Sequence, residues 1–367
     1  MSLIQFHILR NYAPSSLNRD ETGAPKTAVF AGIQRGRISS QCLKRAWRSS
    51  EVFKSLGSCG IRTQYLPELV VERVKELSDT DTYNFALKHK KEITKLGKSK
   101  KPKKDEDSTE DEKKEKMQVM FFSPQDIDAI ANAVINAKGN INILKEEIKK
   151  LDKIRPITLD IALFGRMITD DNFADVEASM QVAHALSVNR VNQESDYFTA
   201  IDDLSHKFRE DSGAGHLGDC DYNSCCYYEY AVLDTDQLKR NLSNSPETLD
   251  KLPHLLNALI DAMVYTSPGG KQNSFAAHSL PAIFCIEYKD KKIPISYVNA
   301  FEEPITFNYS VESAKRLAAE IDKIDKKFQT GLRQRIWFDL NDSACPQNAL
   351  QINSLEKLKE ITADWLK

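Results

Sequence analysis

Residues 98–116 (KSKKPKKDEDSTEDEKKEK) hold eight Lys and seven Asp or Glu and almost nothing apolar. Such a segment cannot bury enough surface to offset the entropy of ordering it, so no core can run through it. The sequence on its far side has helical character, which makes 98–116 a solvated loop inside a helical region. Its charges nearly cancel, which disfavours a basic tail for nucleic acid. The chain has 367 residues, enough for two or three domains. With 41% hydrophobic residues it can bury a sizeable core. No run of about 18 apolar residues is present, so no membrane-spanning helix is expected. The start lacks the basic-then-apolar pattern of a signal peptide. Seven scattered cysteines, an odd number, then predict reduced thiols and a cytoplasmic location.

The opening LIQFHIL alternates, with Ile4, Phe6 and Ile8 on one side and Gln5 and His7 on the other, which predicts a half-buried strand. Residues 11–37 carry no sustained period and predict a long loop. SSQCLKRAWRSSEVF predicts a helix capped by Ser39 or Ser40. Further helices are expected at about 124–153 and 173–188. Residues 191–226 are polar, with Gly and the aromatics Tyr197, Phe198 and Phe208, and suit an extended hairpin arm. Strands are expected at 227–233 and 282–288. Apolar spacing marks helices through Leu249–Met263, Ala314–Phe328 and Leu355–Trp365. Strands separated by helices, the first at the N-terminus, predict an α+β domain interrupted by a helical insertion.

Charge is uneven along the chain. Residues 1–50 contain eight cations and two acids, a net of +6, so a chain with net charge −2 carries −8 elsewhere. A basic N-terminal region on an acidic body points to a local anionic ligand. At 100° per residue, Gln41, Lys44, Arg45 and Arg48 share one arc, and Leu43, Ala46 and Trp47 lie on the other side. The helix can therefore pack on a core and still present a cationic stripe. A solvated amphipathic helix has the same pattern, but Arg35 and Arg37 just upstream favour phosphate binding. Ser39, Ser40 and the free amides of the helix start add donors.

Other chemistry finds less support. GAGHLG at 213–218 fits the dinucleotide fingerprint by letter, but no strand precedes it and no helix follows. His216, Cys220, Cys225 and Cys226 lack paired metal-ligand spacing, so neither a metal nor a cofactor is expected. His184, in QVAHALS, reads as a packed histidine of an apolar helix. Asp202 and Asp203 could form a carboxylate pair, but neighbours in sequence need not converge in space. SPGGKQN at 267–273 is a glycine turn that places Lys271 and Gln272 where backbone amides could cradle a phosphate.

The stretch SSLNRDETGAPKTAVFAGIQRGRISSQCLKRAWR resembles the Cas-seven backbone family of the type I-E CRISPR Cascade complex. The resemblance continues through DIALFGRM (160–167), MQVAHALS (180–187), DYFTAIDDL (196–204), GHLG (215–218), PGGKQN (268–273) and NAFE (299–302), and weakens over about 60–155. It implies an RRM-like (ferredoxin-like) palm, a helical fingers insertion and a β-hairpin thumb. Palm segments would be 1–58, 181–190 and 227–367. The fingers would be 59–180 and the thumb 191–226. It implies a non-catalytic subunit that stacks along a CRISPR guide RNA beside neighbouring copies of itself and other Cascade subunits, away from any membrane, and leaves the guide open to a target DNA strand. The implied RNA contacts are Arg19, Lys26, Ser39, Gln41, Lys44, Arg45 and Arg48, with Lys271 and Gln272 lining the same groove. Met167, next to Arg166, would lie at a kinked nucleotide, and Phe198 and Thr199 near a displaced base. In this chain Ile33, Gln34 and Gly36 interrupt the basic run before the helix and leave only Arg35 and Arg37. The competing expectation is a ribonuclease using Asp202, Asp203 and His216, as in sister families that cut RNA.

Overall fold

The computed structural model describes residues 2–94, 119–168, 172–200 and 216–366. The charged run 98–116, and Asp202 and Asp203, lie outside these residues. The strands are β1 (Leu3–Asn11), β2 (Thr27–Phe30), β3 (Ile33–Ile38), β4 (Ile61–Thr63), β5 (Met120–Phe122), β6 (Met180–Val182) and β7 (Ala185–Ser187). They continue with β8 (Gln193–Ala200), β9 (His216–Asn223), β10 (Cys226–Asp234), β11 (Ile283–Lys289), β12 (Leu332–Asp339) and β13 (Leu350–Ile352). The fold is mixed α+β and divides into two compact units.

The first unit comprises 1–55, 181–234 and 253–367. Its sheet runs β13-β12-β11-β1-β10-β7-β3-β2. Only the β12–β13 pair is parallel along this path. The central strand β1 is buried from Leu3 to Arg10 on both faces, not on one as its alternation predicts. Arg10 donates to the carbonyls of Met263 and Thr266, at the C-terminal end of the helix Leu252–Tyr265, where a cation suits the helix dipole. On the other face Leu9 packs in a core with Leu317 and Ile321 of the helix Tyr309–Lys327.

The polar residues of that second face are satisfied by one another. Glu287 on β11 accepts from Arg335 Nε at 2.7 Å, the Tyr297 hydroxyl at 2.9 Å and Gln5 Nε2 at 3.0 Å. Lys289 Nζ lies 3.3 Å from the same carboxylate and His7 Nε2 3.7 Å. The far side of Arg335 pairs with Asp325 at 2.7 Å. A period of two is the same for a half-exposed strand and for one whose polar side chains find buried partners, so the sequence could not separate the two cases.

Two further expectations for this unit are corrected. The loop expected over 11–37 contains β2 and β3, joined at Ala31 and Gly32, which both have positive φ. No helix forms at 173–188, where one is expected: its first part is irregular and its second part holds β6 and β7, β7 pairing with β10 at Tyr227 and Tyr228 and with β3 at Arg37 and Ile38. A short apolar stretch supports either period, and here the open sheet edge decides it. The arm at 191–226 is an antiparallel pair, β8 with β9, in the register Phe198 opposite Gly218.

The second unit comprises 56–180 and 235–252. Its core gathers Leu66, Val70 and Val74 from one helix (Leu66–Leu77), Ile130 and Val134 from another (Pro124–Asn136), and Leu144 from a third (Ile141–Lys149). The expected single helix 124–153 is two, because Lys138 and Gly139 take positive φ and Asn140 caps the next start. The sequence reading grouped 235–252 with the sheet. Its position in the second unit follows from hydrogen bonds: Asn241 donates to the carbonyls of Ala162 and Glu177, and Ser245 Oγ accepts from Ile157 N–H. No helix among the described residues is long and apolar enough to cross a membrane.

The Glu287 cluster sets a pH dependence. Burial alone would raise this carboxyl, but His7, Arg335 and Lys289 outweigh burial and hold it far below the usual carboxylate range. Burial lowers the His7 imidazole, against the opposing pull of Glu287. In both groups the folded state binds fewer protons than the unfolded one at acid pH. Their stabilisation is therefore full above the ordinary values, 6.5 for His7 and 4.5 for Glu287, and is lost as pH falls through each folded value. Glu287→Gln leaves Arg335 and Lys289 short of a counter-charge and should cost about 3–5 kcal/mol, as for breaking a buried pair. Urea unfolding at pH 7.5 measures the cost, and repeating it at pH 5 reads the His7 titration, with a loss toward acid in the variant no smaller than in the parent, because the Glu287 carboxylate no longer opposes the burial of a charged His7.

Candidate nucleic-acid interface

The basic helix forms where expected, at Ser40–Ser49, and Ser39 caps it by accepting from Cys42 N–H. Leu43 and Trp47 are buried and seat the helix. Gln41 and Arg45 are exposed, and Lys44 and Arg48 half-buried, so the polar stripe faces outward. Partial burial lowers the Lys44 ammonium below its ordinary value.

The helix start is held by a network of main-chain and side-chain bonds. Asn18 Oδ1 accepts from Ser39 N–H at 2.8 Å, and its carbonyl accepts from Lys26 N–H at 2.8 Å. The Lys26 carbonyl accepts from Arg37 N–H at 2.9 Å. Asp20 accepts from Thr22 and Ala24 N–H and closes the turn that carries the exposed Arg19. His184 stands beside this group. Its Nδ1 accepts from Ser40 N–H at 3.3 Å and lies 3.5 Å from Arg37 Nη1. That arrangement needs a neutral ring protonated on Nε2. Partial burial, then the charges of Arg37 and Lys26, lower its pKa and favour that form. Lys26, Arg37, Ser39, Ser40 and His184 thus meet at one helix N-terminus, where donors and positive charge suit a phosphate.

A second group meets at the foot of the β8–β9 arm. Ser15 and Asn223 exchange backbone hydrogen bonds at 2.9 and 3.0 Å. Gly270 lies against Ser16 and Leu17, so close that a Cβ there would overlap the Leu17 carbonyl oxygen. Lys271 Nζ reaches Cys220 Sγ at 2.8 Å, and the Tyr222 and Phe275 rings are 5.8 Å apart. The glycine turn therefore ties the arm to the segment bearing Asn18 and Arg19. Gln272 differs from expectation in direction, since its Nε2 donates to Pro268 and Ala277 carbonyls of its own turn. Phe198 and Thr199 are exposed on β8, with Gly218 leaving room for the Phe198 ring.

Two expected contacts are corrected. Arg35 is fully buried, and its guanidinium donates to the carbonyls of Ser187, Val188, Phe301 and Glu302. Arg166 is 5% exposed, ion-paired to Asp126 at 2.6 Å and bonded to the Ala174 carbonyl. Both are held by partners inside the protein and have no guanidinium face left for a ligand. Charge counting on a sequence cannot tell an inward arginine from an outward one. Met167, next to Arg166 in the second unit, is 83% exposed.

Asn18 and His184 belong to the site and were missed. Asn18 had a signal, its place in LNRD beside Arg19. His184 was hidden by the helical reading of its segment. Of the proposed nuclease groups, Asp202, Asp203 and the side chain of His216 lie outside the described residues. Cys225 and Cys226 are buried.

A family model described as "CT1975-like protein" matches residues 4–364. One solved structure, described as "CRISPR RNA-guided surveillance complex, pre-nicking", superposes with a TM-score of 0.80 at 24% identity, covering 100% of both chains. A second, described as "CRISPR RNA-guided surveillance complex", does so with a TM-score of 0.62 at 20% identity, again over 100% of both. At these identities the likeness is one of fold. No curated protein matches the chain in sequence.

The glycine turn supplies a stability test. Gly270→Ala must push the Ser16–Leu17 backbone away and should cost about 1–3 kcal/mol, as other overpacking changes do. Gly269, where a Cβ meets nothing within 4 Å, is the control. Urea midpoints are expected to fall for Gly270→Ala and to stay near the parent for Gly269→Ala.

Proposed function

The chain belongs to the family of CT1975-like proteins, the Cas-seven backbone subunits of type I-E CRISPR surveillance (Cascade) complexes, and we propose that it is a non-catalytic guide-RNA-binding member of that family. Copies stack along the CRISPR RNA in the cytoplasm, beside other Cascade subunits, and present the spacer for pairing with a target DNA strand. In this reading the sheet of the first unit is an RRM-like palm, the β8–β9 arm is the thumb, and the helical unit forms the fingers.

The observation that carries the proposal is the junction of Lys26, Arg37, His184 and the capped start of the helix Ser40–Ser49, continued by Lys44, Arg45 and Arg48. All of these groups can bind phosphate, and they gather around a helix start that favours an anion. Binding is therefore expected to follow backbone charge and A-form shape, with sequence left to base pairing. Arg19, Lys271 and the Gln272 turn extend the same strand path. Phe198 and Thr199 on the arm, and Met167 in the helical unit, fill space where stacking is broken. Unstacking costs a few kcal/mol per step, which several phosphate contacts per copy offset. Holding the bases between breaks in an ordered path lowers the entropy cost of capturing the target.

The direct test is co-expression with the neighbouring genes and a repeat–spacer array, followed by purification, nuclease digestion and sequencing of the retained nucleic acid. A discrete protected guide RNA with several copies of this chain supports the proposal. Clean protein at low salt with all partners present overturns it. In the same system, Lys44→Ala with Arg45→Ala should weaken RNA binding equally for all sequences. The slope of log affinity against log salt should shrink by about 0.7 for each phosphate no longer neutralised. Titrations over 50–400 mM salt with two unrelated RNAs measure this, and a weakening confined to one RNA would count against backbone recognition.

A further inference from the structure

Met167 is an exception to its surroundings. It is 83% exposed, whereas Arg166 is 5% and Ile168 6% exposed. An apolar side chain held out between two buried neighbours needs a support that fixes the backbone on both sides. That support converges on one carboxylate. Asp126, fully buried in the first turn of the helix Pro124–Asn136, accepts from Arg166 Nη1 at 2.6 Å and from Arg155 Nε at 2.8 Å. It also accepts from Ser123 N–H at 2.8 Å and Ser123 Oγ at 3.0 Å, in a capping box that fixes its rotamer.

Each arginine then binds a main-chain carbonyl of the stretch 172–174. Arg166 donates from Nε and Nη2 to the Ala174 carbonyl, at 3.1 and 2.9 Å. Arg155 donates from Nη2 to the Asn172 carbonyl at 2.9 Å and lies 5.0 Å from the centre of the Phe173 ring. The main chain also pairs the stretches 165–168 and 172–176 directly. Arg166 and Val176 exchange backbone bonds at 2.9 and 2.8 Å, and Asp175 accepts from Ile168 N–H at 2.7 Å. Gly165, with φ +79°, admits this approach, since a Cβ there would meet the Val176 carbonyl at 2.9 Å. The stretch 165–168 and the stretch 172–176 are thus both referred to Asp126.

We propose that Asp126, through Arg155 and Arg166, is the positioning residue that holds Met167 outward at a fixed place for insertion at the unstacked step of the guide RNA. This rests on the RNA reading of Met167 given above. Asp126 is the carboxylate shared by both guanidiniums, so its removal takes the common anchor from both arginines at once and loosens the stretches 165–168 and 172–176 together. Asp126 is buried away from any RNA and acts only through the two arginines.

The test is a double-mutant cycle in the assembled complex. RNA affinity is measured together with 2′-hydroxyl acylation of the guide, which reads the unstacked nucleotides. Asp126→Asn should weaken RNA binding by about tenfold, within the coupling seen for groups of one network, and blunt the periodic acylation pattern. On a Met167→Ala background the same change should add less than about twofold. Arg155→Gln leaves the capping box intact and should reproduce the pattern in a smaller degree, which keeps the test open if Asp126→Asn unfolds. An equal weakening with and without Met167, or wild-type acylation in a folded Asp126→Asn or Arg155→Gln variant, overturns the clamp and leaves the RNA reading standing. A Met167→Ala variant indistinguishable from the parent removes the RNA role of Met167, and the clamp proposal with it.

Discussion

The sheet of the first unit depends on how the charge of Glu287 is met. β11, which carries it, lies between β1 and β12. His7 and Gln5 approach from β1, Arg335 from β12 and Tyr297 from the segment that covers them, so one carboxylate links three strands and their cover. An isolated buried carboxylate would be prohibitively costly, and here every oxygen has partners. Arg335 extends the cluster to Asp325 on the helix Tyr309–Lys327, which thereby gains a polar anchor besides its apolar face. Apolar burial already disfavours a register slip, and the hydrogen-bonded ionic cluster adds directional partners that a slip would break.

The functional surface inherits that register. β3 sits near the end of the sheet, next to β7, and the helix Ser40–Ser49 follows directly from it. The place where β3 ends decides where the amides of Ser39 and Ser40 point. Arg35 contributes from inside, with four carbonyl acceptors joining β3 to the segments around Val188 and Phe301. A residue with the charge of an RNA contact is in this fold a structural tie, and Arg37, two positions on and on the same face, remains half-buried beside His184. The helical unit shows the same division of labour, with Arg166 turned in and Met167 turned out. In both places a buried guanidinium sets the position of an outward residue.

Much of the local structure was legible in the sequence. Long periodic segments such as the helices through Leu317 and Leu259 follow from apolar spacing alone. The basic helix, its serine cap and its polar stripe follow from spacing and from the preference of serine for a helix start, and the structure selects Ser39 over Ser40. Short segments were not legible. β2, β3 and β7 have too few residues for a period to show, and their state is set by partners distant in the chain. Lys138 and Gly139, which break the expected helix at 124–153, turn on backbone angles that composition only hints at.

What the sequence by itself determined is the family and where its positive charge is concentrated. The excess of cations in residues 1–50, the one-sided helix and the run from LNRD to LKRAWR are properties of order and composition, and they survive any folding detail. What only the tertiary structure decided is which charges face outward. Arg35, Arg37, Arg166 and Arg155 are chemically identical side chains, and their separation into ties and candidate contacts depends on whether carbonyls or carboxylates from remote segments lie within hydrogen-bond reach. The same holds for His184, placed at the helix start by the pairing of β7 with β3, and for Gly270, whose missing side chain matters only because the Leu17 carbonyl lies against it. Sequence sets what each residue can donate, accept or bury, and the close-packed interior, by bringing distant segments together, selects which of those capacities is used.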